Sequence, residues 1–183
     1  MDVMELIQRY YPPGSKAYSL LVHHSRLVAG KALRVAERMK EYAPDLEFIE
    51  EAAMLHDIGI FLTDAPKLGC YGSNPYIAHG YLGRALLEEE GLPRHALVCE
   101  RHVGTGLTVE DIDQHRLPLP RREMLPLTLE ERIICFADKF YSKREESLSD
   151  EKPLEEVRAS IAQYGDAQLR RFDEWVIFFR EPR

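Results

Sequence analysis

The chain has 183 residues, of which 45% are hydrophobic and 30% charged, a balance typical of a soluble globular protein. Its formal net charge of -7 disfavours an extended nucleic-acid surface, which needs a basic footprint, although bound metal can still attract a nucleotide. No apolar run approaches the roughly 18 residues of a membrane span, and the first residues lack the basic start and apolar stretch from which a signal peptide would be expected. We therefore expect one cytoplasmic domain over residues 1–183, with no membrane partner.

Apolar residues recur at three- and four-residue steps, which predicts helices almost throughout. The first long helix begins after Pro12–Gly14 and ends at Pro44, and its apolar face includes position 24. A second helix begins near Asp45 and ends at about Gly59. Residues 60–77 contain scattered prolines and glycines without a clean period, which predicts a long loop.

The second half of the chain is also predicted to be helical. Helices are expected over 77–90, 93–103 and 109–114, and a proline-rich connector follows. Thr128 and Glu131 have the spacing of a capping box, which opens the next helix. Residues 143–152 are predicted to be a solvated charge run. A helical region is expected over about 153–180, with a break near Gly165. Its apolar stripe is expected either to pack in the core or to form a homodimer contact, and consists of Phe172, Trp175 and Phe179. The fold class expected is all-α.

Polar residues interrupt these apolar stripes at three places. His24 lies between Leu20 and Val28, the pair His56–Asp57 ends the string AAMLHDIG, and Asp138 lies inside IICFADKF. A buried carboxylate is costly unless it is paired, hydrogen-bonded or bound to metal. Imidazole with carboxylate suits Fe, Mn, Zn, Co or Ni better than Ca, so we expect one or two divalent transition metals. The cysteines are odd in number and widely spaced, which favours neither disulfides nor a zinc knuckle: Cys70, Cys99 and Cys135.

The strings HSRLVA, LHDIG and FADK resemble the HD phosphohydrolase superfamily, in which the pattern H…HD…D implies one metal on a helical bundle. Two further histidines, His79 in AHGYLGRALL and His102 in ERHVGTGL, are similar to the subgroup H…HD…H…H…D, which implies two metals. The resemblance covers about residues 20–141. It implies that Asp57 bridges the ions, that His79 and His102 complete the second site, and that the first site consists of His24, His56, Asp57 and Asp138.

The resemblance also implies a reaction. A metal-activated hydroxide would cleave a phosphoester or phosphoanhydride in a small phosphorylated substrate, for example a nucleotide or a dinucleoside polyphosphate. Asp57, His79 and His102 would be the catalytic residues. Three cations adjoin motif residues and are therefore candidates for binding substrate: Arg84, Arg101 and Lys139. Ile60 departs from the pattern, since many related motifs have Lys there, and this leaves the substrate class open.

Two other functions share the same ligands. Some members of the superfamily hold two irons on these six positions and act as oxygenases, and a non-catalytic ligand-binding module is the third alternative. His79 and His102 also have a structural alternative, because a histidine near a helix end can act as a cap. His23 is expected to pack or to face solvent, and His95 and His115 to lie at the surface.

Overall fold

The computed structural model describes residues 2–143 and 147–181. Within these ranges the chain forms nine α-helices and one antiparallel pair of two-residue strands, β1 (Asp64–Ala65) and β2 (Cys70–Tyr71). The all-α class is thereby confirmed. The helices are α1 (Val3–Tyr10), α2 (Lys16–Arg38), α3 (Leu46–Leu55), α4 (His79–Glu89), α5 (Pro93–Arg101), α6 (Val109–His115), α7 (Leu129–Asp138), α8 (Leu154–Ala162) and α9 (Asp166–Phe178).

Local sequence explains where the main helices begin. Ser15 and Asp45 cap α2 and α3 by accepting hydrogen bonds from the backbone N–H three residues later. The reciprocal capping box predicted at Thr128 is only half formed. Thr128 accepts from the Glu131 N–H, but the Glu131 carboxylate accepts instead from the backbone N–H of Leu127. A complete capping box lies at the start of α6.

Most of the helices pack around two large hydrophobic clusters, while Ile112 of α6 packs in a small third cluster with Leu107 and Met124. One joins the later part of α2, most of α3, and α7, α8 and α9; the other joins α1, the early part of α2, the end of α3, and α4 and α5. Along α2 the change of cluster falls between Val22 and Val28, and along α3 it falls between Ala53 and Met54. His24 therefore lies where the two clusters meet along α2, while His56 and Asp57 lie just beyond the change along α3, between Leu55 and Ile58 of the second cluster.

Several expectations need correction. Residues 3–10 form a helix that the sequence did not predict, and residues 60–77 hold three short 3₁₀ turns besides β1 and β2. His95 is buried rather than at the surface, with its ring against Phe48 and its Nε2 3.3 Å from Glu51 Oε2. His23 is exposed, as expected.

The aromatic stripe near the C-terminus is core. Phe172 and Phe179 are fully buried and Trp175 nearly so, in contact with the cluster that includes Phe136. A homodimer stays a prediction, as does the assignment of the whole chain to one domain. No helix in the described part of the chain is long and apolar enough to cross a membrane.

Candidate metal centre

Four helix ends and one helix face bring six side chains together. His24 lies on the buried face of α2, and His56 and Asp57 follow the last turn of α3. The other three side chains come from the first residue of α4, the residue after α5 and the last residue of α7, which are His79, His102 and Asp138. All six residues are at most 8% exposed. Their ligand atoms form two groups, each compact enough for one ion.

In the first group, two histidine nitrogens lie close to one oxygen of each of two carboxylates. His24 Nε2 lies 3.0 Å from Asp138 Oδ1 and 3.4 Å from Asp57 Oδ2. His56 Nε2 lies 3.1 Å from Asp57 Oδ2 and 3.4 Å from Asp138 Oδ1. Two nitrogens and two oxygens from four side chains thus point at a common centre, with all ligand atoms within 4.8 Å of one another.

The second group shares Asp57 with the first. Its other carboxylate oxygen, Oδ1, lies 3.4 Å from His79 Nε2 and 3.3 Å from His102 Nε2. The two imidazole nitrogens lie 3.0 Å apart. Asp57 therefore directs one oxygen to each group, which is the arrangement expected of a carboxylate that bridges two ions.

Backbone carbonyls fix the tautomers of three of the histidines. The Nδ1 atoms of His56, His79 and His102 lie 2.7 Å from the carbonyl oxygen of the residue three positions earlier. A carbonyl can only accept a hydrogen bond, so each Nδ1 carries a proton. Nε2 is therefore the atom of each ring that faces the centre and can bind a metal when it is unprotonated. Metal-binding histidines are oriented by hydrogen bonds of this kind.

The residues fit a metal on their own chemistry. The lone pairs of His79 and His102 face each other across 3.0 Å, a contact that needs a cation or a shared proton between them. Asp57 Oδ1 and His56 Nε2 are among the buried polar atoms that lack a hydrogen-bond partner within the described residues. Imidazole and carboxylate donors in this mixture suit the divalent transition metals rather than calcium.

Burial and the neighbouring charges set the protonation states. Burial lowers the pKa of His24 to about 4 and that of His79 to about 3, so both rings are neutral near pH 7. Burial disfavours the charged form of His56, but the attraction of Asp57 outweighs this effect and raises the pKa of His56 to about 9. Burial also disfavours ionisation of Asp57 and Asp138, yet His56 for the first, Lys139 for the second, and Lys143 for both hold these pKa values well below the usual range.

One residue of the site was not expected from the sequence. Lys143, predicted to belong to a solvated charge run, places Nζ 2.7 Å from Asp57 Oδ2 and 3.9 Å from Asp138 Oδ1, with its side chain 19% exposed. That prediction was wrong for Lys143, and residues 144–146 of the run lie outside the described residues. The available signal was position: Lys143 comes five residues after Asp138, just beyond the end of α7.

The three predicted substrate cations fall into two kinds. Lys139 lies at the site, with Nζ 2.7 Å from Asp138 Oδ2 and 3.0 Å from the His102 carbonyl oxygen. Arg84 instead donates to Glu88 and Glu100, and Arg101 donates to both carboxylate oxygens of Glu131. Both arginines are thus engaged in ion pairs, and neither lines the cleft beside the ligand groups. The geometry therefore favours Lys139 over the two arginines for contact with substrate.

A cleft of about 510 Å³ opens beside the two groups, a size typical of small-molecule sites. His79, His102 and Asp138 form its inner end together with Lys139 and Lys143. Tyr76, whose carbonyl orients His79, lies beside them. Part of the cleft wall comes from α8 and from Tyr164 just after it, and combines apolar and polar side chains: Val157, Ser160, Ile161 and Tyr164.

Comparison with known proteins places these residues in a family context. The HD-domain family model matches residues 21–142. A Methanocaldococcus jannaschii protein described as uncharacterized is 37% identical over 131 residues, covering 69% of this chain and 70% of that protein. No solved structure shows a significant match.

Two further relatives carry a functional name. They are tRNA (cytidine(56)-2'-O)-methyltransferases of Picrophilus torridus, 31% identical over 69% of this chain, and of Thermoplasma volcanium, 27% identical over 76%. The matched segments span only 33% and 35% of those enzymes, so this chain corresponds to about a third of each.

Proposed function

Since the chain belongs to the HD-domain family, we propose that it is a metal-dependent phosphohydrolase that cleaves a phosphoester or phosphoanhydride bond of a small substrate, with nucleotides as the leading class. The observation that carries this proposal is the pair of ligand groups that share Asp57 and open onto a cleft containing two lysines. His24, His56 and Asp138 would hold one ion with Asp57, and His79 and His102 the other.

Divalent ions bound there would supply an activated water and would neutralise charge on a phosphoryl group. The protein contributes the fixed geometry. Hydrogen bonds to backbone carbonyls hold three imidazole rings in place, so their donor atoms need little reorganisation to bind a metal. Burial of Asp57 keeps bulk water from its two oxygens, which strengthens the electrostatic attraction they exert.

The charges around the cleft also support an anionic substrate. Lys139 and Lys143 stand at its inner end, beside His79 and His102, where a phosphate would have to lie to be attacked. The apolar side chains of α8 that line the cleft, Val157 and Ile161, suit the organic portion of a nucleotide. The two lysines together carry as much positive charge as Asp57 and Asp138 carry negative charge.

The two methyltransferase relatives bear on the substrate class. Their name describes whole enzymes about three times as long as the matched segment, so we do not transfer methyl transfer to this chain. A segment resembling this chain within tRNA-modifying enzymes supports a nucleotide or an RNA-derived phosphate as substrate. The net charge of -7 favours a small molecule over a whole tRNA.

The test is phosphate release from a panel of nucleotides and phosphate esters, with the protein loaded separately with Mn, Fe, Co, Ni or Zn. Release that disappears in Asp57→Ala and persists in Asp113→Ala, an exposed aspartate paired with Arg121, is the expected result. Oxygen uptake and a mixed-valent iron signal without phosphate release would replace the proposal by the oxygenase alternative. Metal binding without turnover on any substrate would favour a non-catalytic module.

A further inference from the structure

Lys143 lies just beyond the end of α7, and its ammonium points at the carboxylates of the first ligand group. Its ammonium lies 2.7 Å from Asp57 Oδ2, the same oxygen that His24 and His56 face at 3.4 and 3.1 Å. It also lies 3.9 Å from Asp138 Oδ1, so it approaches both carboxylates of the first ligand group. A buried ammonium between two carboxylates neutralises the charge that an ion bound by the same oxygens would neutralise.

A metal ion and the Lys143 ammonium cannot both pair closely with these carboxylate oxygens. An ion held by Asp57 Oδ2 and Asp138 Oδ1 would lie close to the Lys143 ammonium, and two cations at that separation repel strongly in a buried site. Lys143 lines the cleft as well as the ligand group, so its ammonium can leave Asp57 by rotating its own side chain toward the cleft. Lys139 is held differently, because its ammonium also donates to the His102 carbonyl oxygen.

We propose that Lys143 is an internal competitor of the metal: its ammonium pairs with Asp57 and Asp138 in the metal-free protein, and metal binding releases it into the cleft, where it binds the anionic group of the substrate. The first half concerns metal alone. The second half rests on the proposed function, because it assigns the released ammonium to the phosphate of the substrate.

Metal affinity tests the competition directly. Titration calorimetry with Mn²⁺ compares Lys143→Met with Lys40→Met, which removes the same charge from an exposed position after α2. Because metal no longer has to displace the ammonium from its ion pair with Asp57, Lys143→Met is expected to bind Mn²⁺ about tenfold more tightly than the parent protein. Lys40→Met should bind Mn²⁺ like the parent. Unchanged or weaker binding by Lys143→Met would overturn the competition.

A second measurement uses the unaltered chain, so it does not depend on the folding of a variant. Lysine amines are labelled by brief reductive methylation and the labelled peptides are quantified by mass spectrometry, with and without saturating Mn²⁺. The labelling rate of Lys143 should rise several-fold with Mn²⁺, while that of Lys40 stays constant. A Lys143 rate that is unchanged or lower would show that the ammonium is not released.

Inorganic phosphate tests the second half. With saturating Mn²⁺, Lys143→Met should bind phosphate about tenfold more weakly than the parent protein, since a charge-assisted contact is lost. Equal phosphate affinity would overturn the substrate contact even if the metal affinity rises. None of the three measurements requires turnover, so failure of the proposed hydrolysis would be seen separately, as an inactive protein whose metal affinity and Lys143 labelling still behave as stated.

Discussion

Gly59 lies directly against the backbone of His79: a methyl group on Gly59 would come within 2.3 Å of the His79 carbonyl oxygen and 2.5 Å of the Gly83 nitrogen. The segment that follows His56–Asp57 is thus in close contact with the start of α4. This contact fixes the distance between Asp57 and the histidine that begins α4, and with it the spacing of the two ligand groups.

Replacing Gly59 by Ala should therefore separate these segments. We expect the free energy of unfolding to fall by about 2–4 kcal/mol, because backbone atoms rather than a flexible side chain must move. The metal content per chain should fall toward that of a protein in which only the first ligand group is occupied. Gly30→Ala is the matched control, because it lies within α2 and its new methyl group would have its nearest neighbour 3.8 Å away. A Gly59→Ala protein with full stability and metal content would show that the contact does not position α4.

Removing one ligand should distinguish the two groups. His79→Ala leaves His24, His56, Asp57 and Asp138 intact, so it should lose one ion and keep the other. The metal content is measured after dialysis, together with that of Asp57→Ala, which is expected to retain neither ion because both groups use its carboxylate. If His79→Ala retains as much metal as the parent protein, the centre is mononuclear and His79 has a structural or substrate-binding role.

Arg101 provides a test of the cation assignments. Its guanidinium bonds both oxygens of Glu131, a carboxylate that is only 4% exposed. Arg101→Met would leave the buried Glu131 carboxylate without its cationic partner. We therefore expect the free energy of unfolding to drop by about 2–3 kcal/mol, which is less than the loss expected when a fully buried ion pair is broken. Metal content should not change. A large increase in KM with little loss of stability would instead support the role in substrate binding that the sequence suggested.

The α8 wall can be tested by filling the cleft. Ser160 is exposed and lines the cleft, so Ser160→Trp should obstruct the outer part and raise KM for the substrate, with metal content unchanged. Ala159→Trp, on the neighbouring exposed position of α8, does not line the cleft and should leave KM close to the parent value. Equal KM values for the two variants would place the substrate elsewhere.

The sequence predicted the helices well because each carries its own signals. Ser15 and Asp45 mark helix starts, and the three- and four-residue recurrence of apolar residues marks the buried faces. The helix over residues 3–10 was not predicted because its 8 residues make only about two turns, too few for the three- and four-residue recurrence to repeat. The burial of His95 was missed because it results from the packing of its ring against Phe48 on α3, which no local pattern encodes.

The candidate ligands could be found from the sequence because polar residues interrupted apolar stripes and matched a family pattern. The structure brings all six of them together, while their roles stay predictions. Lys143 could not be found in this way. It lies in a charged segment whose composition predicts exposure, and only the course of the chain after α7 carries it back to Asp57. Arg101 adjoins His102 and Arg84 lies five residues after His79. Neither spacing places the two side chains on the same face of a helix, and both arginines pair with glutamates.

The most direct test of the account is elemental analysis of the protein purified without added metal or chelator. We expect about two divalent transition-metal ions per chain, since two ligand groups share Asp57. A protein that contains no such metal and binds no Mn, Fe, Co, Ni or Zn when each is supplied would contradict it.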